Sequence, residues 1–257
     1  MHTLNNTKFN TQPKVLHFPG RCYRKNHNSI ILYNQAIQPN ITFNTFIPDN
    51  CAITTIASAN IINTMLFDQA DRLSIDLIRL GADIPKKNFN TYYKLTKMLE
   101  FVNNTDKEII LSVDANDILF IDDIKTIFNE YIKLYSDKII FSGEKKFSYF
   151  FKRSRIFQHE QSNIRAFLKS KSNTEYNSLN SGLYIGNTSL LRQTLPLIID
   201  IHDYAKSQDP HMRSTDQSAW MYAWYKYDLK HVQLDDMCSM FQTCHALSDT
   251  EIELKVI

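Results

Sequence analysis

Two carboxylates three positions apart, Asp114 and Asp117, follow the apolar run Ile109-Ile110-Leu111-Ser112-Val113. The run is long enough for one buried parallel strand. Ionised carboxylates at the end of such a strand are costly unless a positive charge sits between them. A divalent cation chelated by a diphosphate meets that need, because hard oxygen ligands suit Mg²⁺ or Mn²⁺. Open α/β sheets also bind their ligands outside the carboxyl ends of the strands, where this pair falls. On this stretch alone a second reading stays open, with Asp114 capping a turn and Asp117 in solvent.

Other chemistries are poorly represented. His159, His202, His211, His231 and His245 show no shared ligand spacing such as HExxH. The five glycines form neither a GxGxxG nor a P-loop, so a bound nucleotide is not held by a glycine-rich cradle. Cys22, Cys51, Cys238 and Cys244 are scattered without a CxxC pair, which suits neither a zinc site nor a disulfide framework and predicts a reducing compartment. A formal net charge of +2 without a Lys/Arg run argues against nucleic-acid binding. The first 20 residues are polar, and no apolar run approaches the length of a membrane span, so a cytoplasmic protein is expected.

The elements around the carboxylates follow from periodicity. A short strand ending in a Pro19-Gly20 turn covers 14–20, followed by Arg21, Arg24 and Lys25; a further short element spans 29–36 and a polar connection 38–50. A β-branched strand starts at Cys51, a helix covers about 60–70, and alternation suggests a strand over 72–80. Helical spacing precedes the central strand over 92–102 and resumes from Asp122-Asp123 to Tyr135; a buried strand covers 138–142. Residues 143–178, with Lys145, Lys146, Lys152, Arg153 and Arg155, read as an excursion over the site's edge. A strand over 179–186 and a helix over 189–205 follow. Ser214 and Gln217, spaced as a capping box, open another helix, whose aromatic residues from Trp220 to Tyr227 suit a core. Short strands are expected over 232–234, 238–242 and 252–257. The order predicts an α/β fold, a mainly parallel sheet with helices on both faces.

Taken together, several segments resemble the glycosyltransferase domain of procollagen lysyl hydroxylases (the PLOD family) and its bacterial and giant-virus relatives, a GT-A-type, Rossmann-like fold. They are Thr54-Thr55-Ile56-Ala57, Ser112-Val113-Asp114-Ala115-Asn116-Asp117-Ile118-Leu119-Phe120 and Ile140-Phe141-Ser142-Gly143-Glu144. Leu179-Asn180-Ser181-Gly182-Leu183-Tyr184-Ile185-Gly186, Thr215-Asp216-Gln217, Leu234-Asp235-Asp236 and Met240-Phe241-Gln242 complete the set. The resemblance implies a UDP-sugar donor and a divalent metal, Mn²⁺ or Mg²⁺, held by Asp114 and Asp117. It places Thr55 near the uracil or ribose and Asn116 where the family has a stacking aromatic residue, whose π-face Asn lacks. Asn180, Ser181 and Gly182 would form a turn close to the donor sugar, and Asp216, beside Gln217, would serve the acceptor or bind sugar hydroxyls.

The family's third metal ligand, a His in a segment after the last strand, has no counterpart at that end of this sequence. Gln12-Pro13-Lys14-Val15-Leu16-His17-Phe18-Pro19-Gly20 resembles that segment at the other end. Residues 1–50 are therefore an N-terminal appendage and 51–257 the glycosyltransferase domain. Three explanations stay open: a cut from a tandem array, a circular permutation in which His17 completes the site, or a chance match. In the second, Arg21 or Arg24 would neutralise the diphosphate. The expected activity is metal-dependent transfer of a hexose, glucose or galactose by analogy, from a UDP-sugar to an acceptor hydroxyl. The rival is a catalytically lapsed domain that binds a nucleotide sugar or protein partner; a nucleotidyltransferase is the weaker third reading.

Overall fold

β-Branched and apolar segments become strands, and the amphipathic segments between them become helices that cover both faces. The computed structural model describes residues 2–24, 27–37, 43–59, 61, 64–148, 158–208, 215–248 and 251–256. Its strands are His2–Asn6 (β1), Val15–His17 (β2), Cys51–Ile56 (β3), Leu77–Leu80 (β4), Ile109–Val113 (β5), Ile118–Phe120 (β6), Ile139–Glu144 (β7), Ser178–Asn187 (β8), Val232–Asp235 (β9), Phe241–Thr243 (β10) and Ile252–Val256 (β11). The α-helices are His27–Ala36 (α1), Met65–Leu73 (α2), Tyr92–Asn104 (α3), Ile124–Tyr135 (α4), Gln161–Ser170 (α5), Thr188–Gln208 (α6) and Asp216–Tyr227 (α7).

The main sheet has the order β4-β3-β5-β8-β7-β9. β8 alone runs against its neighbours β5 and β7, while the β3–β4, β3–β5 and β7–β9 pairs are parallel. The expected mainly parallel α/β sheet is therefore present. Alternation divides its residues between two cores. Ala52, Ile56, Ile110 and Phe141 pack with α3, α5, α6 and α7, burying Trp220 and Trp224. Ile53, Leu111, Val113 and Ile140 face the opposite way, against Leu66 of α2 and Ile124, Ile127, Phe128 and Tyr131 of α4. A third cluster, including Leu4, Leu16, Phe18, Leu119 and Cys244, seats the N-terminal segment.

That segment is woven into the body. β2 lies between β10 and β6 in a three-stranded sheet, and β1 pairs antiparallel with β11, His2 opposite Val256. Several boundaries differ from expectation. The strand expected over 72–80 is only Leu77–Leu80, because α2 runs to Leu73 and is capped by Ser74 in the left-handed conformation, φ 55°. The strand expected over 238–242 is Phe241–Thr243, because the Asp235 carboxylate accepts the backbone N–H groups of Ser239, Met240 and Phe241 and holds the preceding turn. Ser214 and the basic residues Lys152, Arg153 and Arg155 lie outside the described residues. The cap of α7 is Thr215, whose hydroxyl accepts from the Ser218 N–H, and Gln217 is committed elsewhere. All four cysteines are buried free thiols. No helix among the described residues is long and apolar enough to cross a membrane.

Candidate active site

Three strand ends converge because β8 is antiparallel. Its first residues lie beside the carboxyl ends of both β5 and β7: Val113 is opposite Leu183, and Glu144 is opposite Ser178. Between Phe141–Tyr184 and Ser142–Asn180 the register jumps, leaving Ser181, Gly182 and Leu183 as a bulge relative to β7. Bulges re-aim side chains, and this one turns Ser181 and Gly182 toward the end of β5. The Asp114 N–H donates to the Gly182 carbonyl at 2.7 Å, which fixes the first carboxylate where the strand stops.

The chain then turns over Asn116 and re-enters as β6. β2 pairs antiparallel with β6, placing His17 opposite Ile118 and hence next to Asp117. The Phe18 N–H donates to the Asp117 carbonyl at 2.8 Å, and the Cys244 N–H donates to the His17 carbonyl at 2.7 Å. His17 is 1 % exposed. Its Nε2 lies 3.5 Å from Asp117 Oδ1 and 3.7 Å from Asp114 Oδ2. These separations are longer than a good hydrogen bond, and neither ring nitrogen has a hydrogen-bond partner.

A divalent cation fits this arrangement. Each of the three residues presents one ligand atom, and these atoms lie within 4.8 Å of one another. Buried imidazole nitrogens normally have a partner, and an ion among the three groups would give His17 one. The approach is also too close for a side chain on β8: a Cβ on Gly182 would sit 2.5 Å from Asp114 Oδ2 and 2.6 Å from His17 Cε1. Burial alone would lower the pKa of His17, but Asp117, Asp114 and Glu144 outweigh it and hold the imidazolium above its ordinary range.

Lys94 joins this centre without having been anticipated. It lies in the first turn of α3, on the stripe that continues through Met98 and Val102, and its ammonium bonds Asp114 Oδ1. Burial opposes the Asp114 charge, yet Lys94 and His17 bring its pKa below the ordinary carboxylate value. The signal was a lysine at helical spacing on an otherwise apolar face.

Two further acids line the same cleft. Glu144, at the end of β7, accepts from Asn180 Nδ2 at 3.0 Å and from Gln217 Nε2 at 2.8 Å. Burial pushes its pKa up to about 7 against these two donors. Glu144 belongs to a resembling segment, yet nothing in the sequence singles it out from Glu residues at ordinary strand ends. Asp216 opens α7 and accepts from Ser181 Oγ at 2.7 Å. An acid in the first turn also meets the positive end of the helix dipole.

His17, Asp114, Asp117, Asn180, Ser181, Gly182, Asp216 and Gln217 thus line one cleft of about 390 Å³ together with Lys94, Glu144, Lys146 and His245. That volume is within the range of small-molecule sites. Thr55 is wholly buried and its hydroxyl donates to the Val113 carbonyl at 2.8 Å, so it braces the strand end. Asn116 is exposed on the turn between β5 and β6. Arg21 lies in the short 3₁₀ helix Pro19–Arg24, its side chain outside what is described, and Arg24 is exposed.

Comparison with known proteins gives likenesses to a family and to solved structures. A family model described as the PLOD GT domain matches residues 90–257, a span that takes in Asp114, Asp117, Glu144, Asn180 and Asp216 but not His17. Among solved structures the chain is similar to mouse xyloside xylosyltransferase 1 in its apo form, at 11% identity and a TM-score of 0.40, over 75% of this chain and 84% of that one. No curated protein matches it in sequence.

Proposed function

Because the chain belongs to the PLOD GT domain family, we propose that it is a metal-dependent glycosyltransferase moving a hexose, glucose or galactose, from a UDP-sugar to an acceptor hydroxyl. The observation that carries this reading is the His17, Asp114 and Asp117 cluster in a cleft that Glu144 and Asp216 also line. A mixed nitrogen and carboxylate donor set favours Mn²⁺ over Mg²⁺, which prefers oxygen ligands throughout. The bound cation would neutralise the diphosphate and act as a Lewis acid for the departing UDP.

The chain's own groups supply the rest. The bulge at Ser181 and Gly182 lets β8 approach Asp114 and His17 with no side chain between them, and Asn180 holds that bulge by accepting the Gly182 N–H at 2.9 Å. Asp216 binds sugar hydroxyls from the start of α7, its orientation set by Ser181. Glu144, with a pKa raised to about 7, accepts the proton of the acceptor hydroxyl. Asn180 and Gln217 donate to its two oxygens and leave lone pairs free for that proton.

The lapsed-domain alternative has Asn116 in its favour, and the place of His17 beside both aspartates counts against it. The test is Mn²⁺-dependent UDP release from a panel of UDP-hexoses, run beside an Asp114→Asn/Asp117→Asn double variant. Release by the wild type only is expected. Silence with every donor from a folded protein would favour a binding domain without turnover.

A further inference from the structure

The metal ligands already carry a positive partner. Lys94 Nζ bonds Asp114 Oδ1, while Asp114 Oδ2 faces His17 Nε2 at 3.7 Å. The two oxygens of one carboxylate are therefore divided between an ammonium and the candidate metal position. The pair is sheltered, with side-chain exposures of 22% for Lys94 and 28% for Asp114. Lys94 and Asp114 also line a small pocket with Ser112, Ser181, Tyr184 and Asp216.

We propose that Lys94 is a resident counter-ion of the metal carboxylates: its ammonium keeps Asp114 in place in the metal-free protein and opposes the entering cation. When the metal binds, the Asp114 contact loosens and the ammonium turns toward Asp216 and the phosphate of the donor. The inference rests on the metal-dependent reading of the cleft and adds a second cation to it. Like charges at this range repel strongly in a half-buried site. The donor's diphosphate relieves that repulsion by offering the ammonium a new partner. Metal and UDP then bind cooperatively, because each lowers the cost of the other.

The measurement is Mn²⁺ titration followed by the loss of the free-ion EPR signal, which needs no turnover. Lys94→Met, about the same length without the charge, is expected to bind Mn²⁺ at least about tenfold more tightly than the wild type. Lys94→Arg keeps the charge and is expected to stay within about threefold. Adding UDP should narrow the gap between Lys94→Met and wild type. Thermal melting checks folding, and Lys94→Gln replaces Lys94→Met if that variant does not fold. Unchanged or weaker Mn²⁺ binding by the uncharged variants, or equal tightening by Lys94→Arg, would overturn the counter-ion role while leaving the metal site standing. Binding by neither wild type nor any variant would remove the metal reading, and this inference with it.

Discussion

Glu144 is where the pH dependence of the molecule should concentrate. Its folded pKa of about 7 lies above the ordinary value of 4.5 because burial disfavours the charge. Between those two values the folded protein binds a proton that the unfolded chain has released. Stability therefore falls as pH rises through that window and levels off above about 7. Urea denaturation across the window should show this slope, and Glu144→Gln should flatten it. Transfer of the sugar from UDP to an acceptor should rise as pH passes through about 7, where the Glu144 carboxylate forms in the folded protein; a flat profile would remove Glu144 as the base. His17→Ala should weaken Mn²⁺ binding by about tenfold or more, in line with loss of one ligand. Gly182→Ala should do the same, since the added methyl would displace both Asp114 and His17; wild-type affinity in either variant contradicts the assignment. Asp114 and Asp117 were legible in the sequence because two acids ending an apolar strand are a local signal. Lys94 and Glu144 were not, because their meaning depends on which helix face and which strand partner the fold brings beside them.

At the scale of elements, the antiparallel insertion of β8 and its bulge do most to build the site. Periodicity gave the strand over 179–186, but its direction and its register jump against β7 come from pairing partners far away in the chain. Helix starts were read less well, since Ser214 with Gln217 fits a capping box on spacing alone. In the structure Thr215 caps α7, and Gln217 instead reaches Glu144 and the Ser181 N–H. Thr215→Ala should cost about 1 kcal/mol, measurable by chemical denaturation. It should also loosen Asp216, which follows the cap directly, so a variant with unchanged stability would count against the cap. The paired helices α3 and α6 and the buried tryptophans of α7 were anticipated from their apolar spacing and lie in one core.

Across the whole molecule, the N-terminal residues expected as an appendage supply β1, β2 and His17, which lies beside Asp114 and Asp117. β1 pairs with β11 and β2 with β10, so this segment lies against the strands at the other end of the chain. Glu251 secures this closure: 2% exposed, it accepts from Tyr176 OH, Lys145 Nζ and Ser248. Burial raises its pKa, but Lys145 and Tyr176 bring it below 4.5, so its stabilisation is present above that value and is lost as pH falls through the lower, folded one. Glu251→Ala, which leaves Lys145 and Tyr176 without this partner, should cost about 3 kcal/mol in thermal or urea unfolding. The β1–β11 pair also has a mechanical consequence. His2 and Val256 share the same end of an antiparallel ladder, so a force drawing the termini apart loads its hydrogen bonds one after another. Such a ladder unzips at low tension, and the segment next in line is the one that carries His17. A mild pull on a tethered molecule should therefore free the β2 segment, and His17 with it, before the central sheet gives way.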